Sequence, residues 1–537
     1  MRTNATPRHY LLVPPEPTPN GHLHLGHIAG PFLRVDALAR FLRMRGDRPA
    51  IMTGTDAYEP WVAMKARVDG VDPGEIVAHY HEVMQADLAA LRIGMDEFVN
   101  PAEEPWHGLF QREIDESVAR LDARGAVSTL IEKVPYEPTA GRFVVGPLLL
   151  GRCPDCGTEV ASYFCEGCGA HFRPEEVVEP RPRLATDADW QWRQIATRFL
   201  RTAGLAELEP EFDRLDLAER YRSTVRSLLG RGGASIRLSV PETWGMTLAG
   251  GEDGVPSSLF SYTGGFMFAR LLGEIHRQRI GAEANSFSPD SDVVTVTSLG
   301  CDNVVSALIC INAVALVHGD TRPYDRVLIN EFYQLAGEKF STSRRHAITA
   351  SGVAKVRGLT PDAVRYHLAL VNPETSQTSF EPKEFLDTAN HRLAGVLEDR
   401  IAAAWERLPA APAALPASEL AVLDEHLDRL ERALDGPTVR MAEAGAVLDS
   451  WIDRIDALPG ADRTPDQAYW WLKGLALLGF PIMPDFAAEL WRRLGGTGDP
   501  GFAAFPERPA PATVAHRRWF TPVTAADFAA CLPETLS

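Results

Sequence analysis

Two histidines near the start of the chain are placed to bind a phosphate. They lie in the segment Asn20-Gly-His-Leu-His-Leu-Gly-His27, where His24 and His27 are three residues apart and share one face of a helix that begins there. Gly26 leaves room for a ligand against the backbone, and a helix N-terminus offers N–H groups and a partial positive charge to an anion. The alternative is a metal site or a helix cap formed by these histidines and His22.

A second segment, Gly337-Glu-Lys-Phe-Ser-Thr-Ser-Arg-Arg345, combines a lysine, hydroxyl side chains and two arginines behind a glycine. These residue types suit a mobile loop that closes on a polyphosphate, with Lys339 supplying positive charge. Taken alone, the segment is equally typical of a solvated basic loop.

Four of the seven cysteines form two Cys-x-x-Cys pairs, and they are Cys153, Cys156, Cys165 and Cys168. Four thiolates at this spacing can close a tetrahedral Zn²⁺ site with Zn–S distances of about 2.3 Å. Such a site is structural, because it leaves no open position for catalysis. The alternative is a degenerate knuckle without metal. The other cysteines are isolated, and we expect them to be buried or incidental: Cys301, Cys310 and Cys531.

The elements around these motifs indicate a parallel sheet interrupted by an insertion. In chain order we predict a strand over residues 10–13, a helix over 28–42, a strand over 49–53, a strand over 292–297, a helix over 303–317 and a strand over 326–330. The first three form a βαβ unit, whose ligand site is expected at the carboxyl end of the first strand. Helical patterns dominate from about residue 373, with an Ala/Pro-rich flexible connector over 408–417.

Composition sets the protein class. The 537 residues include 54 Lys plus Arg and 72 Asp plus Glu, giving a net charge of −18, with 45% apolar and 23% charged residues. These values are typical of a globular chain of three or four domains and exclude wholesale disorder. The acidity argues against a general nucleic-acid coat but permits a local basic surface. We find no export signal and no apolar stretch near the roughly 18 residues of a membrane span, so we expect a soluble cytoplasmic protein.

Together the two phosphate motifs resemble the HIGH and KMSKS signatures of class I aminoacyl-tRNA synthetases, and the methionyl members most closely. The resemblance covers about residues 8–390 and includes four further segments: Phe41-Leu-Arg-Met-Arg-Gly46, Thr53-Gly-Thr-Asp-Ala57, Trp244-Gly245 and Gly300-Cys-Asp302. It implies an α/β fold with a Rossmann-like catalytic domain, a zinc-bearing connective insertion and a C-terminal α-helical bundle. The implied domains are residues 1–114 and 231–372 for the two catalytic halves, 115–230 for the insertion and 373–537 for an anticodon-binding-like domain.

The resemblance also implies ATP-dependent activation of an amino acid, with Mg²⁺ accompanying the ATP. The substrate carboxylate attacks the α-phosphate and gives an aminoacyl-adenylate and pyrophosphate. No general base is needed, because the carboxylate is already ionised at neutral pH, so catalysis consists of positioning and charge stabilisation.

The residue roles that the resemblance implies fall into two groups. On the nucleotide side, His24 and His27 hold phosphates, Lys339 acts on the pyrophosphate, Gly26 lies against adenosine, Asp302 binds the ribose, and Ser341 and Ser343 complete the loop. On the amino-acid side, Asp56 binds the ammonium group and Arg237 lies near the carboxylate.

The lysine loop departs from the family signature at two positions. Thr342 replaces the second lysine, and losing one charged contact costs about 3 kcal/mol by analogy with an oxyanion donor. Arg345 stands where the family usually has glycine, and we hypothesise that it restores the missing positive charge.

The amino-acid pocket and the anticodon domain also depart from the pattern. Thr18 replaces a tyrosine, Phe260 a tryptophan and Ala307 a histidine, so that the pocket can accept a different side chain. On the first helix after the catalytic domain, Asp399 and Ala403 replace the usual asparagine and arginine. No Pro-Trp pair occurs in residues 440–475, where the nearest tryptophan is Trp451. The residues that read the methionine anticodon are therefore missing.

Three functions fit these observations. The first is a diverged methionine–tRNA ligase, monomeric or homodimeric, whose partners are an amino acid, ATP and tRNA. The second is a paralog that forms the adenylate but passes the acyl group to a non-tRNA amine, as an amide ligase of secondary metabolism, or to a non-standard tRNA. The third is a catalytically silent RNA-binding relative, against which the intact histidines, Asp56, Asp302 and Lys339 argue.

Overall fold

The computed structural model describes residues 6–161, 163–165, 168, 170–184, 189–341, 344–457, 464–512 and 515–536. The strands are β1 (His9–Val13), β2 (Arg48–Gly54), β3 (Glu97–Val99), β4 (Val127–Glu137), β5 (Arg142–Phe143), β6 (Leu149–Arg152), β7 (Glu159–Ala161), β8 (Val178–Pro182), β9 (Gln191–Arg201), β10 (Ser235–Arg237), β11 (Ser239–Val240), β12 (Ser258–Leu259), β13 (Val294–Gly300), β14 (Arg326–Asn330), β15 (Tyr333–Leu335), β16 (Glu338–Lys339) and β17 (Thr378–Phe380).

The helical segments fall into two groups along the chain. Those of the catalytic region and its insertion are Leu25–His27, Ile28–Phe32, Leu33–Arg45, Pro60–Asp69, Pro73–Ala90, Trp106–Ala123, Gly146–Leu148, Pro174–Glu176, Leu205–Arg214, Glu219–Gly232, Ser261–Ile280, Cys301–Asn303, Ser306–Ala313, Val314–His318, Ala350–Ala354 and Pro361–Leu370. Those that follow are Pro382–Asp387, Thr388–Leu397, Glu398–Trp405, Ala417–Leu434, Met441–Ala457, Pro465–Gly479, Pro484–Arg493 and Ala525–Ala529.

A five-stranded parallel sheet with the order β14-β13-β1-β2-β3 forms the centre of the catalytic region. The chain moves outward from β1 to β3 on one side and returns with β13 and β14 on the other. The strand order therefore reverses between β1 and β13, and ligands bind at the carboxyl ends of strands at such a switch point. The predicted α/β Rossmann-like architecture is confirmed, as is its division by a cysteine-bearing insertion.

The first crossover helix is longer than predicted. It continues without a break from Leu25 to Arg45 and includes a π-helical turn over Ile28–Phe32 that contains Pro31. It ends at Gly46, whose φ of 96° lies in the left-handed region that glycine adopts at little cost. The helix begins at the histidine motif, so its N-terminus points at the switch point of the sheet.

Buried ion pairs and hydrogen bonds join this helix to later parts of the chain. Arg34 is fully buried and donates to the carbonyl oxygens of Ile329 (3.0 Å) and Val439 (3.2 Å). Asp36 is fully buried and pairs with Arg365 at 2.7 Å. Since an unpartnered buried charge is costly, these contacts fix the C-terminal helices against the catalytic sheet.

The insertion consists of two antiparallel sheets. The long strands β4 and β9 pair along their length with β5 and β10 at their edges, and the sheet β7-β6-β8 carries the cysteines. Position 115, the predicted start of the insertion, lies inside the helix Trp106–Ala123, whose Phe110 packs on Phe268 of the catalytic core. Position 230 lies inside the helix Glu219–Gly232.

Two sequence predictions need correction, namely the flexible Ala/Pro-rich connector and the absence of a long apolar stretch. The Ala/Pro-rich connector is not a free spacer, because the Ala413 N–H donates to Asp466 (2.7 Å) and the Ala413 carbonyl accepts from the Trp470 indole (3.0 Å). One helical stretch of the described residues, Cys301–His318, is long and apolar enough by length and composition to cross a membrane. Its apolar side chains pack in the core beside the parallel sheet.

Candidate active site

The two predicted histidines hold each other in a fixed arrangement where the first helix begins. His24 Nδ1 accepts a hydrogen bond from the Gly26 N–H (3.1 Å), and His27 Nδ1 accepts from the His24 N–H (3.2 Å). The two rings stack with centroids 3.8 Å apart. Because both Nδ1 atoms accept, each neutral ring carries its proton on Nε2 and presents that N–H as a donor.

The imidazoles are neutral at pH 7. Burial lowers the pKa of His24 well below its ordinary value, with a further contribution from His27, and desolvation within the cleft lowers the pKa of His27 to about 4. In the protein without ligand the histidines are therefore neutral hydrogen-bond donors for phosphate oxygens. A permanent positive charge for the phosphates comes from basic residues such as Lys339 elsewhere in the site.

The lysine loop returns to the histidine motif. The Leu25 N–H donates to the Ile348 carbonyl (3.0 Å), and the Ala350 N–H donates to the Leu23 carbonyl (2.8 Å). Phe340 stacks on His24 with centroids 4.7 Å apart, and a Cβ built at position 26 would lie 3.2 Å from the Phe340 ring. The absence of a side chain at Gly26 thus allows the loop to pack closely on the motif.

Lys339 and Ser341 lie near the tip of this loop. Lys339 is exposed in β16, with its Nζ 5.3 Å from the Phe332 ring centre. Ser341 and His346 exchange backbone hydrogen bonds of 2.9 Å that close the loop, and the Ser341 hydroxyl accepts from the Arg344 N–H (3.3 Å). The predictions for Thr342 and Ser343 lie outside the described residues.

Arg345 occupies a backbone conformation that suits glycine. Its φ is 54°, in the left-handed region that few non-glycine residues adopt. The loop geometry thus explains why glycine is usual at this position. The exposed Arg345 side chain extends from the same loop as Lys339.

Asp302 lies across the cleft, in the turn that follows the carboxyl end of β13. Burial raises the pKa of Asp302, and the positive charge of Lys339 opposes that rise. A Cβ at Gly300 would lie 2.5 Å from the Asp302 carboxylate, so glycine is needed for the aspartate to fold back over the strand end. Asp302 and Lys339 thus interact electrostatically across the switch point.

A cavity of about 340 Å³ opens beside this cleft. Four of the predicted site residues line it, namely Thr18, Asp56, Asp302 and Ala307. The Asp56 N–H donates to the Pro17 carbonyl (3.1 Å) and ties the loop after β2 to the loop after β1. Side chains predicted from segments far apart in the chain therefore share one pocket.

Two glutamates that the sequence analysis missed, Glu16 and Glu59, line the same cavity. Burial raises the pKa of Asp56 to about 7. It raises the pKa values of Glu16 and Glu59 well above normal, and the Asp56 charge adds to both shifts. No arginine, lysine or histidine occurs among the described residues that line the cavity. The sequence does carry one sign of Glu16: an acidic residue between two prolines follows the first strand, at the end where the ligand site is expected.

Two pocket predictions do not agree with the geometry. Arg237 does not line the cavity, because both of its terminal nitrogens donate to Glu132, at 2.7 and 2.5 Å, within the insertion sheet. Phe260 faces a neighbouring cavity of about 430 Å³ and contacts Tyr262, whereas the residues beside it, Leu259 and Ser261, reach the 340 Å³ cavity.

The four predicted cysteines converge. Their sulfur atoms lie within 4.8 Å of one another, with Cys153 to Cys168 at 3.8 Å and Cys156 to Cys165 at 3.6 Å. A tetrahedron of sulfurs about 2.3 Å from a central Zn²⁺ has edges of about 3.8 Å, so the spacing fits a closed zinc site.

Three positions of the C-terminal helices were compared with base-reading residues of the family: 399, 403 and 451. Asp399 pairs with Arg518 at 2.6 Å, and Ala403 is exposed on the same helix. Trp451 is buried and exchanges hydrogen bonds with Trp471, each indole N–H donating to the other residue's carbonyl at 3.0 and 2.9 Å. Trp451 is therefore a core residue and does not offer a ring to a base.

Comparison with known proteins gives one consistent family. Residues 10–403 match the family described as tRNA synthetases class I (M). The methionine–tRNA ligase of Chlorobaculum tepidum is 26% identical over 534 residues, covering 92% of this chain and 74% of that protein. The methionine–tRNA ligase of Methanopyrus kandleri is 27% identical over 504 residues, covering 89% and 74%.

Solved structures agree in fold. The methionyl-tRNA synthetase of Mycobacterium tuberculosis, crystallised with methionyl-adenylate, superposes with a TM-score of 0.72 at 19% identity, covering 96% of this chain and 100% of that chain. The family match spans the histidine motif, the lysine loop, the cysteine knuckle and the parallel sheet. The chain belongs to the methionyl group, (M), of the class I tRNA synthetases.

Proposed function

We propose that this protein activates methionine or a related amino acid with ATP and transfers the aminoacyl group to tRNA. The observation that carries this proposal is the packing of the lysine loop on the histidine motif, through Phe340 and His24. This packing places two imidazole donors and Lys339 on one cleft, next to the cavity that Asp56 and Asp302 line.

In the activation step, a substrate carboxylate oxygen forms a bond to the α-phosphorus of ATP while the bond to the leaving pyrophosphate breaks. The Nε2–H groups of His24 and His27 donate to phosphate oxygens, and Lys339 balances the charge that develops on the pyrophosphate. Asp302 accepts from the ribose hydroxyls. Ser341 of the loop contacts the nucleotide, and the family resemblance assigns the same role to Ser343.

Asp56 binds the substrate ammonium. Its buried carboxyl releases its proton when a cation is bound, since an adjacent positive charge favours the ionised form.

In the transfer step, a terminal ribose hydroxyl of the tRNA attacks the activated carbonyl carbon, and AMP leaves. The altered anticodon positions, including Asp399, mean that the tRNA has to be recognised through other contacts.

Two metals accompany this function. The four cysteines hold Zn²⁺, which stabilises the knuckle of the insertion and takes no part in the reaction. Mg²⁺ enters with the phosphates of ATP, since this ion is usually bound by phosphate oxygens together with few protein ligands.

The test is ATP–pyrophosphate exchange measured over the amino acids, followed by charging of total tRNA with the best substrate. Lys339→Ala should lower exchange strongly, and Lys355→Ala, an exposed lysine just beyond the loop, serves as the matched control. Exchange with charging supports the proposal. Exchange without charging would indicate a different acyl acceptor, and the absence of both would refute the proposal.

A further inference from the structure

Glu16 is a carboxylate on the wall of the amino-acid cavity. It lies between Pro15 and Pro17, which restrict the backbone just after β1. The hydrogen bond from the Asp56 N–H to the Pro17 carbonyl (3.1 Å) fixes this segment against the loop after β2. No described residue pairs with the Glu16 carboxylate or donates a hydrogen bond to it, so its partner is to be sought in a ligand.

The other carboxylates of the cavity already have roles. Asp56 is assigned to the substrate ammonium and Asp302 to the ribose. Glu59 caps the helix Pro60–Asp69, because its carboxylate accepts from the Trp61 N–H at 2.7 Å. Glu16 therefore remains as a carboxylate that the reaction proposed above does not use.

The cavity offers two carboxyl groups without an assigned partner in the protein, Asp56 and Glu16, to positively charged groups of a ligand. Four acidic side chains line the cavity, and no basic side chain occurs among its described lining residues. Burial favours the protonated form of Glu16 in the empty cavity. A bound cation favours the ionised form, so Asp56 can balance the substrate ammonium and Glu16 a second positive group. Tyr324, which is 1% exposed, lines the same cavity as Glu16. Burial raises the pKa of Tyr324, and the nearby Glu16 adds to that rise.

The walls leave space for a long polar side chain. Gly264 and Gly265 line the cavity, which shares several residues with the neighbouring 430 Å³ cavity: Glu59, Trp61, Phe164, Ser261 and Tyr262. In that second cavity the Tyr163 hydroxyl has no hydrogen-bond partner among the described residues, although Tyr163 is only 4% exposed. Buried polar groups usually have partners, so this hydroxyl is also available to a polar ligand.

We infer that the amino acid activated here carries a positively charged nitrogen group on its side chain and that Glu16 binds this group. The inference rests on the activation chemistry of the proposed function and departs from it in the side chain of the substrate, which is basic instead of a thioether. A charge-assisted hydrogen bond to a carboxylate discriminates against a neutral thioether more strongly than an apolar wall discriminates between neutral side chains.

The test compares ATP–pyrophosphate exchange of the full-length protein with ornithine, lysine, arginine, methionine and norleucine. At least one basic amino acid is expected to exceed methionine in kcat/KM by about 10-fold or more. Glu16→Gln should lower the kcat/KM of that amino acid by about 10- to 100-fold and leave methionine and norleucine unchanged or improved. Glu406→Gln, an exposed glutamate far along the chain, is the matched control.

Two results would overturn the inference. The first is that methionine is the best substrate of the unmodified protein. This ranking of substrates overturns the inference even if Glu16→Gln does not fold. An equal loss for basic and neutral amino acids in Glu16→Gln is the other. Calorimetric titration measures the binding of each amino acid without ATP. It separates failure of the inferred side-chain specificity from failure of the proposed activation chemistry. Binding of a basic amino acid that depends on Glu16, without any exchange, supports the inference and refutes the activation chemistry.

Discussion

The ring of Phe340 stacks on the imidazole of His24, with centroids 4.7 Å apart and planes inclined by 14°. This contact joins a turn that follows the first strand to a loop more than 300 residues later in the chain. Because His24 also stacks on His27, the three rings form one continuous column. The position of the lysine loop and the orientation of the two phosphate-binding imidazoles therefore depend on each other.

The first prediction concerns this column. Phe340→Ala removes a buried ring, and large-to-small changes of this kind cost about 3–5 kcal/mol. We expect the loop to lose its packing contact with His24, so that kcat for ATP–pyrophosphate exchange falls at least 10-fold. Phe340→Met is the matched control, since methionine is the usual family residue here and preserves apolar volume. Equal activity of the alanine and methionine variants would show that the column does not position the loop.

The second prediction is a pH dependence. Burial raises the pKa of Asp56 to about 7, so in the free protein this carboxyl is ionised above pH 7 and protonated below it. Attraction for the substrate ammonium is present above pH 7 and is lost as the pH falls through that value. The kcat/KM for the amino acid should therefore decline on the acid side of pH 7, since this parameter reports ionisations of the free enzyme.

Asp56→Asn tests this assignment. The variant should have a lower kcat/KM for the amino acid, with a much weaker dependence on pH between 6 and 8. The KM for ATP should change little, because Asp56 is on the amino-acid side of the site. If kcat/KM of this variant still declined below pH 7 as in the unmodified protein, the group that titrates would not be Asp56.

The third prediction concerns the arginine that stands in place of a glycine. If Arg345 replaces the charge lost at Thr342, Arg345→Ala should slow exchange by about 100- to 1,000-fold, the range for removing one transition-state donor. Arg345→Lys should restore most of the rate, because it keeps the charge. Arg345→Gly should relieve the positive φ and yet remain slow. A fast Arg345→Gly variant would show that the charge is not used.

The fourth prediction concerns the cysteine knuckle. The purified protein should contain about one zinc per chain, and Cys165→Ser should remove it, because the four sulfurs form one site. A lower melting temperature should accompany the loss, since zinc binding contributes directly to folding. Cys531→Ser, a cysteine outside the cluster, should keep both the metal and the stability. Zinc retained in Cys165→Ser would contradict the four-sulfur site.

The strands and the histidine motif could be predicted because their signals are local. The strand Arg326–Asn330 coincides with its prediction, and β1 differs from its prediction by one residue. Apolar runs bounded by turn residues give the strands, and the resemblance to a known family supplies the parallel sheet. The helix boundary at Gly46 follows from glycine's tolerance of positive φ, although the prediction ended the helix a turn too early.

The pocket was harder to predict because side-chain facing and pairing depend on long-range register. Phe260 follows β12, where neighbouring side chains point in alternate directions. A shift of one residue in matching this segment to the family pattern therefore selects a side chain that faces the neighbouring cavity. Arg237 meets Glu132 only because β10, β9 and β4 pair in one sheet. The shared position of Glu16, Asp56 and Glu59 on one cavity likewise arises from two loops that meet only in the folded chain.

The last prediction separates a core role from a base-reading role for Trp451. Its indole packs 2.4 Å from the position that a Cβ at Gly474 would occupy, and it is 4% exposed. Trp451→Ala should therefore open a cavity and lower the free energy of unfolding in urea by about 3–5 kcal/mol. Trp451→Phe should lose much less. At a temperature where both variants are folded, tRNA charging should be similar, because no ring is offered to a base. A selective rise in the KM for tRNA, with stability unchanged, would instead place Trp451 at the RNA surface, against the reciprocal hydrogen bonds that tie it to Trp471.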